Sequence, residues 1–460
     1  MTEAPSGAQP PTEGTGPSGE LFPREELAEE VGRHLDAEDR RQALAPWVLA
    51  LAVGLLALGL PTERLWGPMR LVTDAAEGGR SVGVLAALLR LLAQSDALTI
   101  DSAARLVTAL CSGLTIPAMR SLLATIGFPG PLCWAGTALA LFTPLTLLGA
   151  TSPVELAPSI LGATLLAREL FRLRSGMGPR AQWRVSSTLL LAVLLDPANL
   201  LLLPAGALAV ARLAGRRGVP RWAPGASLVA VLAWCVWILL GAGEDPGGRA
   251  VDALFTSMLA GASGPSASAL LAWLIWAPIA LGVGWIGLAS LLMGRRSPEE
   301  GPPPRWVAAW CAMALVPVLG GHPGQGPALG LLVPIGAVGL ADHLLRIEDA
   351  DRARGRARIL VGSQVLLGVL ALVVLRVTDP VRPWAERARR VLEPSDVVIA
   401  TDPAHLYWLR HRFLLEARDP RREDEPGPTG RPEGRLVLDD PLPDGLARPA
   451  DAVDLSALGG

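Results

Sequence analysis

The sequence has no lysine, a single tyrosine and only four cysteines in 460 residues. Charged side chains make up 18% of the chain and hydrophobic residues 50%, which leaves too little polar surface for a soluble protein of this length. The formal net charge of -2 gives no indication of nucleic-acid binding. Because lysine is absent, every basic residue is an arginine, and arginines alone mark the positively charged segments.

The cysteines lie inside apolar runs and form no Cys-x-x-Cys pair; they are Cys111, Cys133, Cys235 and Cys311. A metal site or a disulfide framework usually places cysteines in close, regular spacings. The observed pattern therefore favours small apolar packing residues.

The first 42 residues precede the first apolar run and lack the apolar region of a cleavable signal peptide. Residues 1–20 are rich in proline and glycine and are predicted to be disordered. Residues 24–42 are predicted to form a charged helix. The segment 1–42 is therefore interpreted as a largely disordered cytoplasmic extension.

Long apolar runs dominate the rest of the chain. A helix needs about 20 mostly apolar residues to cross about 30 Å of hydrocarbon. Single passes are predicted at 43–60, 101–126, 131–149, 153–171, 225–243, 268–293, 306–320, 327–345 and 359–376. Proline and glycine inside several of these runs are tolerated, because neighbouring helices can satisfy the freed backbone groups.

The run 185–213 is too long for one pass and short for two. Its centre reads Asp196-Pro197-Ala198-Asn199, and a straight helix would leave the aspartate and the asparagine in hydrocarbon at a cost of several kcal/mol. Two short helices, joined by a turn that faces water or protein, avoid this cost. We therefore predict a hairpin, and Asp196 and Asn199 become candidate substrate-binding residues.

Arginine positions test this count, because short cytoplasmic loops carry the positive charge of membrane proteins. Arginine clusters follow the runs that end near residues 171, 213, 293 and 345, and they fall on one side only if 185–213 crosses twice. We therefore predict eleven passes over 43–376, a cytoplasmic N terminus and an extracytoplasmic segment 377–460. The loop 61–100 is discordant, since it holds four arginines yet is predicted to be outer.

Loop 61–100 holds the candidate catalytic carboxylates. Asp74 and Glu77 stand three residues apart in Asp-Ala-Ala-Glu, so both carboxylates face one cavity if the segment is helical. One would then accept a proton from an attacking hydroxyl, while the other would hold a divalent metal or a donor group. The same spacing is typical of a capping box, and the motif by itself favours that second interpretation.

Arg105 and His322 are candidates for substrate binding. Arg105 lies near the predicted outer end of the second pass, where a guanidinium can bind a phosphate or a carboxylate. A snorkelling side chain, or an ion pair with Asp101 one turn away, is an equal alternative. His322 lies in an outer Gly-Gly-His-Pro-Gly turn as a possible phosphate contact or acid, and a solvated histidine is the favoured alternative.

The tail 377–460 is predicted to form a small α/β segment. A short helix leads into the buried strand that begins at Val397, and residues 405–409 indicate another helix. Asp402 and His405 lie at the end of the strand, where a cap is the favoured interpretation. Residues 419–450 are rich in proline, arginine and aspartate and are predicted to be loop or disordered.

The order of these parts resembles the membrane glycosyltransferases of the C type, notably the bacterial protein O-mannosyltransferase-like group. In that group the first pass leads to an outer loop with Asp-Ser/Ala-Gly/Ala-Glu, a Leu-Gly-Ile-like step and then a pass that begins with arginine. The corresponding positions here are 74–77, 82–84 and 105–110. The hairpin at Asp196 is similar to the family's central pair of short helices, and 397–402 is similar to the start of its small C-terminal domain.

The resemblance implies an all-α polytopic membrane protein of the bacterial inner (cytoplasmic) membrane, with about eleven transmembrane helices and a small α/β extracytoplasmic segment. It implies transfer of a sugar from a polyprenyl-phosphate-linked donor to a protein or glycan acceptor on the outer face. Asp74 or Glu77 would be the catalytic base, and Arg105 and His322 would contact the donor phosphate.

The chain departs from the family at one place. The His-Pro-Pro-Gly-Tyr-like segment that usually follows the Leu-Gly-Ile step is absent, and Val84 leads directly into Leu-Ala-Ala-Leu. A non-catalytic membrane scaffold or assembly partner is therefore an alternative function. A transporter or flippase is a weaker alternative, because the sequence contains no convincing internal repeat.

Overall fold

The computed structural model describes residues 44–59, 89, 99–151, 156–174, 180–214, 278–293, 305–319, 326–347, 349–377, 381–393, 395–400, 405–406, 408–412, 416–418, 436–439 and 452–455. Residues 47–460 belong to one compact unit. The predicted segment 1–42, the run 225–243 and nearly all of the loop 61–100 lie outside the described residues, as do Asp74, Glu77, His322, Cys235 and Asp402.

The described part is predominantly helical. Its α-helices are α1 (Leu44–Gly59), α2 (Ile100–Ile126), α3 (Gly130–Leu141), α4 (Pro144–Thr151), α5 (Leu156–Arg174), α6 (Arg180–Leu195), α7 (Leu203–Ala214), α8 (Gly284–Met293), α9 (Arg305–Leu319), α10 (Gly326–Gly330), α11 (Val333–Leu345), α12 (Ala350–Val377) and α13 (Val381–Val391). These helices follow the apolar runs of the sequence, because a helix satisfies all interior backbone groups within one segment.

Helix α2 shows how local sequence sets the ends of a span. The Thr99 side chain accepts from the N–H of Ser102 at 3.2 Å and caps the first turn. At the other end Gly127 adopts a φ of 96°, a left-handed conformation that glycine adopts without a Cβ clash. The predicted pass at 101–126 is therefore present as one helix.

Three single helices in the described residues are long and apolar enough to cross a bilayer: α2, the stretch Ala328–Leu345 and the stretch Asp351–Val374. Helices α3 and α4 together make a fourth if they are one span. Shorter apolar helices lie at Leu44–Gly59, Trp183–Leu195, Asn199–Val210, Gly284–Met293 and Arg305–Leu315. The count of eleven passes stays a prediction.

The predicted pass at 131–149 is divided between two helices. Helices α3 and α4 are bent by 62° at the break between them. Pro144 begins α4 and lacks an N–H, and the Thr143 hydroxyl accepts from the N–H of Thr146 at 3.2 Å, as a helix cap does. A new helix start is therefore encoded inside an apolar run, where hydropathy alone does not reveal it.

The run 185–213 folds as the predicted hairpin of two short helices. Helix α6 ends at Leu195, a 3₁₀ turn occupies Pro197–Leu202, and α7 follows. Asp196 and Asn199 are both buried, so the turn faces protein rather than water. This arrangement removes the two polar side chains from hydrocarbon.

Gln364 lies on α12, a helix that is otherwise mostly exposed. Its side chain hydrogen bonds to backbone groups at breaks in two other helical segments. Its side-chain NH₂ donates to the carbonyl oxygens of Phe142 (3.4 Å) and Leu281 (3.3 Å), and its carbonyl oxygen accepts from the N–H of Val283 (2.8 Å). Phe142 follows the last residue of α3, and Gly282, with a φ of 54°, interrupts the helix before α8. These backbone groups lie at helix ends and lack helical partners.

The two ends of α5 differ in charge. The end that leads to residue 174 holds Glu169, buried between Arg168 and Arg172 at 2.8 and 3.3 Å. This is one of the arginine clusters from which a cytoplasmic side is predicted. The beginning of α5, by contrast, has no acidic residue in its first turn and is packed among small apolar residues.

The tail forms a four-stranded parallel sheet in the order β2-β1-β3-β4. The strands are β1 (Val397–Ile399), β2 (Glu416–Arg418), β3 (Leu436–Leu438) and β4 (Ala452–Asp454). Strand β1 pairs Val398 with Ala417 of β2 and with Val437 of β3. The predicted α/β character of the tail is present in the described residues.

Two details of the tail differ from the sequence-based expectation. Strand β3 lies inside 419–450, where a loop or disorder is predicted, because its three apolar residues pair with strands that are distant in sequence, β1 and β4. The second detail is His405, which contacts the side chains of Asp439 and Trp384. Its Nδ1 hydrogen bonds to Asp439 Oδ2, and its ring stacks on Trp384 with centroids 3.9 Å apart.

Replacing Gln364 by leucine is expected to lower the free energy of unfolding by about 2 kcal/mol, because three backbone groups at two helix breaks lose their partner. Thermal unfolding of the purified protein in detergent measures the effect. The matched control is Leu366→Val, on the exposed face of the same helix, which is expected to change stability by less than about 0.5 kcal/mol. An unchanged Tm for Gln364→Leu would show that other groups satisfy the breaks.

Candidate functional site

The beginning of α2 carries a buried ion pair. Asp101 lies in the first turn and Arg105 one turn later, and Arg105 Nε donates to Asp101 Oδ2 at 2.9 Å. Only 14% of the Arg105 side chain and 7% of the Asp101 side chain are exposed. The ion pair that the sequence predicts as one interpretation of Arg105 is therefore present, but it uses only one nitrogen of the guanidinium.

The two terminal nitrogens of Arg105 are buried and have no hydrogen-bond partner in the part of the chain that the structure describes. They carry most of the N–H donors of the guanidinium. Burying donors of a charged group without acceptors is costly, and each missing hydrogen bond to a charged group costs about 1.5–3 kcal/mol. An anion with several acceptor oxygens, such as a phosphate, would satisfy them in a planar fork.

Thr108 also has a buried hydroxyl with no partner among the described residues. Other buried hydroxyls of α2 are satisfied: Ser112 donates to the carbonyl of Thr108 and Thr115 to the carbonyl of Cys111, each at 2.8 Å. Positions three apart on a helix are surface neighbours. Thr108 therefore adds a hydroxyl on the Arg105 side of α2.

Ser159 supplies a further buried hydroxyl from α5, the helix that packs against α2. Its Oγ has no hydrogen-bond partner within the described segments. Thr164 of the same helix donates to the carbonyl of Ile160 at 2.7 Å, as buried helical hydroxyls usually do. Ser159 lies in the first turn of α5, where a carbonyl four residues earlier is outside the helix.

Asn199 lies in the 3₁₀ turn and presents an acceptor. Its Nδ2 donates to the carbonyl of Ala192 at 2.8 Å, which sets the orientation of the amide because only its nitrogen can donate. Asn199 Oδ1 is buried and has no donor partner among the residues described. Gly162 of α5 makes room for the amide, since a Cβ on Gly162 would lie 2.8 Å from Asn199 Nδ2.

Asp196 shapes the turn that holds Asn199. The Asp196 carbonyl accepts from the N–H of Asn199 at 3.0 Å, and its own N–H donates to the carbonyl of Ala192 at 3.0 Å. The side chain is buried. A carboxylate and a carboxamide thus stand three residues apart at the start of one short turn beside α5 and α6.

One apolar cluster brings these elements to the same end of the helical bundle. We call it the junction cluster; its buried members are Leu89, Ala103, Ala104, Val107, Cys111, Ala118, Ala157, Leu161, Val381, Ala385 and Trp408. Leu195, at the end of α6, packs against it. Arg105, Ser159 and Asp196 each lie within two residues of a member or of Leu195, so α2, the beginning of α5 and the end of α6 are joined through this cluster.

Three of the predicted site residues lie in the described part of the chain and have largely buried side chains: Arg105, Asp196 and Asn199. Asp74, Glu77 and His322 lie outside the described residues. Thr108 and Ser159 were not predicted. Their only sequence signal is a hydroxyl residue in an apolar run close to Arg105 or to a helix start, and many such residues simply bond to their own helix.

The described residues contain no group of three or more histidine, cysteine, aspartate and glutamate side chains that could hold a metal ion. Cys111, Cys133 and Cys311 are buried apolar residues of the core. The chemistry that the described site offers is thus that of hydrogen-bond donors, one acceptor amide and one guanidinium.

No protein-family model matches the chain, and no curated protein matches it significantly in sequence. Among solved structures it is similar to ArnT from Cupriavidus metallidurans, crystallised bound to undecaprenyl phosphate, with a TM-score of 0.55 and 14% identity. The similarity covers 83% of this chain and 87% of ArnT. This chain therefore has a fold similar to that of ArnT, and three of its described helices are long and apolar enough to cross a membrane.

Proposed function

We propose that the protein transfers a sugar from a polyprenyl-phosphate-linked donor to an acceptor on the outer face of the bacterial inner membrane. The observation that carries the proposal is the buried guanidinium of Arg105, whose two terminal nitrogens have no hydrogen-bond partner among the described residues. A membrane protein gains nothing from such a group unless a ligand satisfies it. Similarity to the fold of a protein that binds undecaprenyl phosphate supports a lipid phosphate as that ligand.

Arg105 and Thr108 suit the phosphate of the donor. Both offer N–H or O–H donors from one side of α2, and phosphate oxygens are acceptors. The two terminal nitrogens of Arg105 are available as charged donors, since Asp101 engages only Nε in the described contacts. His322 would add a contact to the phosphate from its predicted outer turn.

Asn199 suits the sugar rather than the phosphate. Its Oδ1 accepts and does not donate, so it repels a phosphate oxygen and matches a sugar hydroxyl. Ser159 accepts or donates and fits either partner. Asp196, next to Asn199 in the turn, is a second acceptor group for sugar hydroxyls.

Asp74 or Glu77 is proposed as the base that takes a proton from the acceptor hydroxyl. The short motifs at 74–77, 82–84 and 105–110 support the protein O-mannosyltransferase-like group as the relative within this fold. The proposed topology has a cytoplasmic N terminus and an outer tail. A divalent metal would bind, if at all, at the carboxylates of loop 61–100.

Arg105→Gln is expected to weaken binding of undecaprenyl phosphate by about ten- to hundredfold, the effect of losing charged hydrogen bonds. Binding is measured with the purified protein in nanodiscs. The matched control is Arg346→Gln, which removes another arginine that bonds an aspartate one turn away, at 3.1 Å, and should leave binding unchanged. Equal binding by wild type and Arg105→Gln would remove Arg105 from the site.

Asp74→Asn combined with Glu77→Gln is expected to leave donor binding within about twofold of wild type and to lower sugar transfer by about 10²–10⁴-fold, because a general base is lost. Transfer is followed as release of polyprenyl phosphate from the sugar-linked donor. Each single variant then identifies the base. Donor binding by wild type without any transfer would instead favour the non-catalytic scaffold.

Asn199→Leu is expected to reduce the affinity for a polyprenyl-phosphate sugar by about tenfold, because a buried acceptor for a sugar hydroxyl is lost. Affinity for the bare polyprenyl phosphate serves as the internal control and should not change. The informative quantity is the ratio of the two Kd values. A ratio equal to that of wild type would show that a buried water, rather than the sugar, satisfies Asn199.

A further inference from the structure

The tail and the membrane helices share one apolar core at the candidate site. Trp408 begins a π-helical turn, Trp408–Arg412, that contacts α2 directly. Only 2% of Trp408 is exposed, and it is among the largest buried side chains of the described protein. It belongs to the junction cluster, which also contains Ala104 and Val107 of α2, one residue before and two residues after Arg105. A side chain of the tail is therefore buried on the helix that presents the guanidinium.

Small residues share the junction cluster with this indole. Ala103 and Ala104 of α2 and Ala157 of α5 are buried members of the same cluster. Ala104 immediately precedes Arg105, and Ala157 lies two residues before Ser159. Because alanine leaves space that a larger side chain would occupy, a bulky residue from another segment is needed to fill the packing at this place. Trp408 supplies it.

Trp384 connects the junction cluster, to which Trp408 belongs, to the apolar core of the tail. It packs against the junction cluster and also against the tail core, which contains Val398 of β1 and Val437 of β3. Its indole N–H donates to Asp439 Oδ1, and its ring stacks on His405, which hydrogen bonds to Asp439 Oδ2. Helix α13, the segment before Trp408 and the end of β3 are thus held together by one buried network.

We propose that Trp408 is a positioning residue for the donor site and that the tail is a structural part of this site. The proposal rests on the proposed function for the identity of the donor. Trp408 packs the first turns of α2 against the tail, where Thr99 and Asp101 begin the helix and where helical hydrogen bonds are fewest. The tail thereby holds Arg105 in the orientation that binds a phosphate.

A positioning role for the tail is expected because binding at a charged site is sensitive to small displacements of its side chains. A guanidinium must meet phosphate oxygens at hydrogen-bond distance, and a misplacement of about 1 Å can cost about a hundredfold in function. The first turn of a helix frays easily unless tertiary contacts hold it. Loss of the Trp408 indole leaves a cavity beside Ala103 and Ala104 and releases that turn.

Hydrogen–deuterium exchange of the full-length protein in nanodiscs tests the packing without any ligand. In Trp408→Ala, amides of residues 102–108 are expected to exchange about ten- to hundredfold faster, since one large apolar side chain loses its buried contacts. Trp408→Phe should restore most of the protection. Trp183→Ala, at an exposed tryptophan of α6, should leave this segment unchanged. Wild-type exchange over 102–108 in Trp408→Ala would overturn the proposal.

A variant of the tail core separates positioning from general stability. Val398→Ala creates a cavity in β1, outside the junction cluster, and should speed exchange in the tail while protection of 102–108 is kept. If Val398→Ala and Trp408→Ala loosen 102–108 equally, Trp408 has no specific role and the proposal fails.

Binding of undecaprenyl phosphate gives the second readout. Trp408→Ala is expected to raise its Kd by about tenfold, whereas Trp408→Phe and Val398→Ala stay within about threefold of wild type. If wild type itself does not bind undecaprenyl phosphate, the proposed function fails, and the exchange experiment still decides whether Trp408 holds α2. If wild type binds and Trp408→Ala binds equally well, the positioning role is wrong.

Discussion

Hydrocarbon offers no water to a polar group, and this constraint governs the structure. Every break in a helix must be satisfied by protein. Gln364 does so for the ends of two broken helices, and Asn199 Nδ2 bonds the Ala192 carbonyl within the hairpin. Buried hydroxyls such as Ser112 and Thr115 return to carbonyls of their own helix. Because these buried polar groups are satisfied, a buried polar atom that has no hydrogen-bond partner among the described residues indicates a candidate functional site.

Such atoms lie on α2, on α5 and in the 3₁₀ turn, and α5 packs against both of the other elements. The donors lie on α2 and the acceptor amide lies in the turn, so the two sides of the site differ in chemistry as the two halves of a phosphate-linked sugar do. The tail contributes no side chain to this polar set among the described residues. It contributes packing, through Trp408 and Trp384, and packing determines how rigidly the guanidinium of Arg105 is held.

Part of this site could be predicted from residues alone. Arg105, Asp196 and Asn199 attract attention because charged and amide side chains inside apolar runs are costly and need a reason. Thr108 and Ser159 give no such signal, since a helical hydroxyl is usually satisfied locally. Only the comparison with Ser112, Thr115 and Thr164 in the folded helices shows that these two hydroxyls lack that bond.

The sequence by itself determined where apolar helices form, because about 20 consecutive apolar residues have one stable state in a bilayer. It also determined the hairpin at Asp196, since burying that carboxylate in lipid is too costly. Tertiary structure alone decided that Gln364 satisfies the end of α3, that β3 forms a strand and that Trp408 is buried against α2. Each of these depends on partners far away in the chain: Gln364 lies 222 positions from Phe142. A hydropathy profile sums over residues that are neighbours in sequence, so it does not register contacts between positions far apart in the chain.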